Sequence, residues 1–139
     1  MFDCFNTIMS LAYPMPIMSK GRRILLVDDD PDNVRIFTIA LRDAGFEVDA
    51  FEDPRLALSA FKPNYYGLLI LDIRMPDMSG DQLYRKIRKI DDKPKVCLLS
   101  GYGSEDYNTR FSLSTANGIC YIRKPISLDE LVAKVNEVI

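Results

Sequence analysis

"GLLILDIRMPDMSG" (residues 67–80) sets an unbroken apolar run, Leu68 to Leu71, directly before Asp72, and then turns through Pro76, Ser79 and Gly80. A short, continuous apolar run bounded by turn residues predicts a strand, 68–72, buried on both faces. Strands of that kind belong to parallel sheets covered by helices on both sides. A carboxylate in the last position either caps something local or faces a pocket where negative charge is wanted.

Working outward, the same signature recurs. "RILLVD" (23–28) and "VCLLS" (96–100) are further near-continuous apolar strands, while "VDAF" (48–51) alternates as an edge strand does and "ICYI" (119–122) supplies a fifth. Amphipathic helices separate them. Asp30-Pro31 makes a cap and a first helical residue, Val34, Phe37, Leu41 and Ala44 follow at helical spacing, and Gly45 stops that helix. Asp53-Pro54 opens the second, with Leu56, Ala57, Ala60 and Phe61 expected inward, and Lys62-Pro63-Asn64 ends it. Ser79 and Gln82 have capping-box spacing at the head of the third, where Leu83, Ile87 and Ile90 are expected in the core.

A fourth helix is expected over about 104–116, although Asn108, Thr109, Ser112, Ser114 and Thr115 are poor helix formers. Ser127 and Glu130 cap a fifth, with Leu128, Leu131, Val132, Val135 and Val138 on one face. Five β-α alternations with right-handed crossovers place helices on both faces of one parallel sheet.

Composition narrows the chemistry. A chain of 139 residues, 47% apolar and 27% charged, fits one globular domain with a real core. Its net charge of −2 offers no general attraction for nucleic acid or an anionic membrane. The basic run Arg85, Lys86, Arg88, Lys89 reads as the solvated face of the third helix. Histidine is absent, which removes imidazole general bases, His metal ligands and phosphohistidine chemistry on this chain. Cys4, Cys97 and Cys120 have no paired or metal-type spacing; two fall in strands as small buried residues, which fits a reducing cytoplasm. Residues 1–20 are apolar and interrupted by Pro14 and Pro16, with no early basic region. They are expected to be a disordered extension or foreign to the domain, which then covers 21–139, rather than a signal or a membrane span.

In such folds ligands bind beyond the carboxyl ends of the strands. Asp28 and Asp29 stand at the end of the first strand, Asp72 at the third, Ser100 and Gly101 at the fourth, and Lys124-Pro125 after the fifth. Asp30 is explained as a helix cap, but three further carboxylates on one edge repel one another unless a cation neutralises them. An oxygen-only set suits a hard cation such as Mg²⁺. Lys124 suits a phosphate oxygen and Ser100 can donate to another, so the set reads as an Asp nucleophile for phosphoryl transfer.

"ILLVDDD", "LDIRMPDMSG", "LLSGYG" and "YIRKPI", in that order and at matching spacings, closely resemble the receiver domain of bacterial two-component response regulators across 22–139. The resemblance implies a flavodoxin-like α/β fold: a doubly wound five-stranded parallel sheet of order 2-1-3-4-5 with five helices. It implies that Asp72 is the phosphoacceptor, taking its phosphoryl group from a histidine kinase or histidine phosphotransfer protein. Asp29 and Asp72 match the direct Mg²⁺ ligands, the backbone carbonyl of Arg74 a third, and Asp28 the acid that acts through a metal-bound water. Lys124 matches the phosphate-binding lysine, with a cis bond to Pro125. Ser100 matches the switch hydroxyl and Tyr121 the aromatic that turns inward with it, altering the face of the fourth helix, fifth strand and fifth helix for an unnamed downstream target. Phosphorylation-dependent dimerisation and a monomer both fit.

Departures from the common pattern are Ser100 in place of a more frequent Thr and Gly101 in place of a frequent Ala. Arg74 and Tyr102 occupy positions where the family tunes acylphosphate lifetime, and their bulk implies a longer-lived signal. An aspartyl-nucleophile phosphatase of the haloacid dehalogenase kind would want an acid two residues after Asp72, where Arg74 stands. A constitutive protein-binding module without phosphorylation would not need the full acidic, hydroxyl and lysine set. The expectation is therefore a cytoplasmic switch that catalyses only its own phosphorylation and dephosphorylation, with no nucleic-acid segment after the fifth helix.

Overall fold

The computed structural model describes residues 21–101 and 119–139. Within them the chain runs β1 (Arg23–Val27), α1 (Pro31–Asp43), β2 (Glu47–Phe51), α2 (Pro54–Ala60), β3 (Leu68–Asp72), α3 (Gly80–Arg88), β4 (Lys95–Ser100), β5 (Cys120–Arg123) and α4 (Leu128–Val138). The last of these is the fifth helix expected from sequence. The expected fourth, 104–116, lies outside the described residues.

All five strands pair in parallel, in the order β2-β1-β3-β4-β5. The three strands with continuous apolar runs are the central ones, as double-sided burial requires. Alternate residues supply two cores. Leu25, Val27, Leu69 and Leu71 pack with Ala57 of α2 and with Leu83 and Ile87 of α3. Ile24, Leu26, Leu68 and Ile70 pack on the other side with Phe37 and Leu41 of α1 and Leu131 and Val135 of α4. Truncating one of these fully buried leucines to alanine costs about 2–5 kcal/mol.

Local signals set the helix ends as expected. Asp30 accepts from the Asp32 amide at 2.9 Å, and Asp53 from the Arg55 amide at 2.8 Å, each followed by proline. Ser79–Gln82 and Ser127–Glu130 form complete capping boxes. Gly45 takes φ 98° just past α1, in the left-handed region where glycine carries no Cβ penalty.

Four inward assignments are corrected. Leu56 and Ala60 are exposed because the short α2 turns Pro54, Ala57, Leu58 and Phe61 to the sheet instead. Ile90 is half exposed because α3 ends at Arg88 and the turn that follows buries Asp91 in its place. Leu128 is exposed because it is the first residue of α4, where the burial of that helix begins only at Leu131.

Candidate functional site

The strand order reverses at β1, which has β2 on one side and β3 on the other. Register then does what sequence distance cannot. Ile24 pairs with Leu68 and Val27 with Leu71, so Asp28 emerges beside Asp72. Each continues the alternation that points Ile24, Leu26, Leu68 and Ile70 toward the α1–α4 side. Asp28 is fully buried, Asp72 is 6% exposed and Asp29 is exposed. One carboxylate oxygen from each of the three lies within 4.8 Å of the others.

Lys124 closes the group from the end of β5. Its Nζ is 3.1 Å from Asp28 Oδ2 and 3.3 Å from Asp72 Oδ1. The loop that carries it is pinned by the Lys124 amide donating to the Ser100 carbonyl at 2.7 Å, and the Lys124–Pro125 bond is cis. Asp28 is also held by the Asp30 amide at 3.0 Å on Oδ1 and the Asn33 side-chain amide at 3.3 Å on Oδ2. Asn33 went unnoticed in the sequence; an amide in the first turn of the helix that follows the acidic run was the available signal.

The electrostatics follow from crowding. Burial, then the neighbouring Asp28 charge, push the Asp72 carboxyl up to about 7, against the pull of Lys124. Burial alone would lower Lys124, but Asp72 and Asp28 outweigh it and hold the ammonium above its ordinary value. The three clustered carboxylates carry three formal negative charges against the one lysine paired with them, so the cluster itself is short of positive charge. Oxygen donors, no histidine in the chain and that deficit together fit one hard divalent cation.

An open pocket of about 540 Å³ lies over the group, its lining including Asp30, Asn33, Asp72, Arg74, Gly101 and Lys124. Arg74 is exposed at its edge. Ser100, at 3% exposure, ends β4 one position past Leu99, the partner of Asp72. Tyr121 is half-buried and packs on the α2–α3 side of the sheet rather than among the acids. Tyr102 lies outside the described residues. Gly80 is a requirement the sequence did not disclose: a Cβ there would collide with the Asp72 carbonyl oxygen. The Gly80 amide instead donates to Ile73 O at 2.9 Å, folding the loop after β3 tightly under the site.

A doubly wound parallel sheet with paired acids, a third acid and a lysine at its switch point has the architecture of a receiver domain. The family model for the response regulator receiver domain matches residues 24–136, and the chain belongs to that family. It is 34% identical over 115 residues to the C4-dicarboxylate transport transcriptional regulatory protein DctD of Rhizobium meliloti (strain 1021), covering 83% of this chain and 25% of that one. It is 36% identical over 113 residues to the transcriptional regulatory protein HprR of Escherichia coli (strain K12), covering 81% and 49%. The chain thus spans half or less of these two curated relatives.

Among solved structures, a CheY-like receiver domain protein from Methanospirillum hungatei JF-1 superposes with a TM-score of 0.73 at 32% identity, covering 84% of this chain and 91% of that one. The response regulator TrrA of Thermotoga maritima, in complex with Mg²⁺-BeF, gives 0.69 at 34% identity, covering 85% and 99%. No described helix is long and apolar enough to cross a membrane.

Proposed function

We propose that Asp72 accepts a phosphoryl group from a phosphohistidine on a partner kinase or phosphotransfer protein. An Asp72 carboxylate oxygen attacks phosphorus, the O–P bond forms as the N–P bond breaks, and the histidine nitrogen leaves with the electron pair. The observation that carries this reading is the juxtaposition of Asp72 with Asp28, Asp29 and Lys124 under an open pocket. Lys124 can release the two carboxylates to meet an incoming phosphoryl oxygen, a small movement for a long, partly exposed side chain. Ser100, from the adjacent strand end, offers a hydroxyl to a second oxygen.

Asp29, Asp72 and the Arg74 carbonyl would hold Mg²⁺, with Asp28 acting through water. When bound, the ion would supply the missing positive charge and draw Asp72 to its ionised, nucleophilic form. The Mg²⁺-BeF complex of TrrA supports the assignment by likeness. The output would be a changed protein-binding face that includes β5 and α4, with Tyr121 turning as Ser100 moves.

Intact mass after incubation with acetyl phosphate tests the reading. A single phosphoryl increment is expected in wild type with Mg²⁺, and none without the ion or in Asp72→Asn. An increment that survives in Asp72→Asn would refute the acceptor. If neither acetyl phosphate nor a panel of histidine kinases gives an increment, the chain acts as a constitutive binding module.

A further inference from the structure

Away from the acidic edge, the fold brings together two thiols that stand far apart in sequence. Cys97 in β4 and Cys120 in β5 are Cα partners in the parallel pairing. Paired residues of adjacent parallel strands point to the same face, with strands about 4.8 Å apart. That falls inside the Cα separation a disulfide spans, about 4.4–6.8 Å. Cys97 is fully buried in the core on the α1–α4 side; Cys120 packs against the same core and is half-buried, open to a small reagent. The Cys120 thiol also lies 3.9 Å from the Tyr121 carbonyl oxygen.

Their surroundings differ in a way that assigns roles. The neighbouring Cys120 thiol and burial push the Cys97 thiol far up. The adjacent Cys97 thiol, helped by the Lys134 ammonium on α4, brings Cys120 down to about 7, against burial and the charge of Glu137. Lys134 is itself held 3.2 Å from Glu137. One accessible thiol with thiolate character beside one buried partner is the arrangement of an attacking and a resolving cysteine.

We propose that Cys97 and Cys120 are a peroxide-oxidised thiol pair that closes to an intramolecular disulfide tying β4 to β5. The Cys120 thiolate attacks one oxygen of hydrogen peroxide; the S–O bond forms, the O–O bond breaks, and hydroxide leaves to be protonated to water. The Cys97 thiol then gives up its proton and attacks the Cys120 sulfenic acid. The S–S bond forms, the S–O bond breaks and the oxygen departs as a second water. Two thiols are oxidised as one peroxide is reduced, so electrons and atoms balance. The chemistry is independent of whether Asp72 is phosphorylated.

The test uses the full chain with Cys4→Ser, treated with hydrogen peroxide, denatured and alkylated. The expected result is a monomer lighter by about two mass units, closed to alkylation, with the peptides of Cys97 and Cys120 linked and both released by reductant. Cys97→Ser should stop at a dimedone-trapped sulfenic acid on Cys120, and Cys120→Ser should stay reduced. Two thiols still open to alkylation after peroxide would overturn the proposal. So would oxidation of Cys120 without a link to Cys97, or links only between chains. Peptide mapping with both cysteines in place decides between these outcomes even if a serine variant fails to fold.

Discussion

Two buried aspartates, one at each end of the sheet, are equally hidden and oppositely treated. Asp72 at the carboxyl edge and Asp91 at the amino edge are both 6% exposed. Asp91 accepts from the Asn64 amide at 2.8 Å and the Lys93 amide at 3.0 Å, with Lys93 Nζ at 3.5 Å. Those donors, the Asn64 amide foremost, hold its carboxyl below the ordinary value. Lys93 Nζ also reaches Asn64 Oδ1 at 3.0 Å, so one carboxylate fastens the loop before β3 to the loop before β4. Asp72 faces another acid and shares a single lysine with it, and its carboxyl is pushed up instead. The amino edge uses its charges to hold the fold; the carboxyl edge keeps a deficit of positive charge that a divalent cation would relieve.

The sharpest way to break this contrast is to neutralise each aspartate in turn. Asp72 ionises near pH 4 when unfolded and near 7 when folded, so its protonated form favours the native state and stability is lost as pH rises through that window. Asp72→Asn is therefore expected to be more stable than wild type, by on the order of 3 kcal/mol at pH 8 without divalent cation. The gain should shrink toward zero below about pH 4. Urea unfolding at several pH values reads it, and a variant less stable than wild type at pH 8 would break the comparison.

Asp91→Ala should move the other way, costing about 1–2 kcal/mol through its lost amide hydrogen bonds. Because the folded carboxyl is held low, wild type keeps that advantage above the unfolded value of about 4 and loses it as pH falls through the lower folded value. Opposite pH slopes for the two variants in the same unfolding series would sharpen the contrast; parallel slopes would erase it.

Mg²⁺ should act at one end only. A tenfold excess over its dissociation constant stabilises by about 1.4 kcal/mol, raising the Tm of wild type and of Asp91→Ala but much less that of Asp72→Asn. The smallest effect is expected at the pocket edge. Arg74 is exposed beside Asp72 in the pocket lining, and Arg74→Ala should shorten the acylphosphate half-life a few-fold by admitting water. A longer half-life in the variant would remove Arg74 from that role.

Much of this was legible before any tertiary structure. The apolar runs at Leu68–Leu71 and Ile24–Val27 named the central strands, and Asp30-Pro31, Asp53-Pro54, Ser79 and Ser127 named helix starts, because caps and strand periodicity are written within a few neighbouring residues. Leu56, Ile90 and Leu128 were misplaced because a hydrophobic residue at helical spacing says nothing about where the helix sits on the sheet. Asn33 on Asp28 and the bare Cα of Gly80 under Asp72 were hidden for a related reason: both depend on how a loop folds back.

The sequence by itself determined the alternation of strands and helices, the three doubly buried strands, the helix caps and the set of acids, hydroxyl and lysine that strand ends would carry. Only the tertiary structure decided that Asp28 stands beside Asp72, that Lys124 bridges them, that burial and crowding lift Asp72 to about 7, and that Cys97 meets Cys120. The physical reason is range. Propensity and periodicity act over one turn or one pleat, whereas strand register, burial and charge coupling join residues that only the packed sheet makes neighbours.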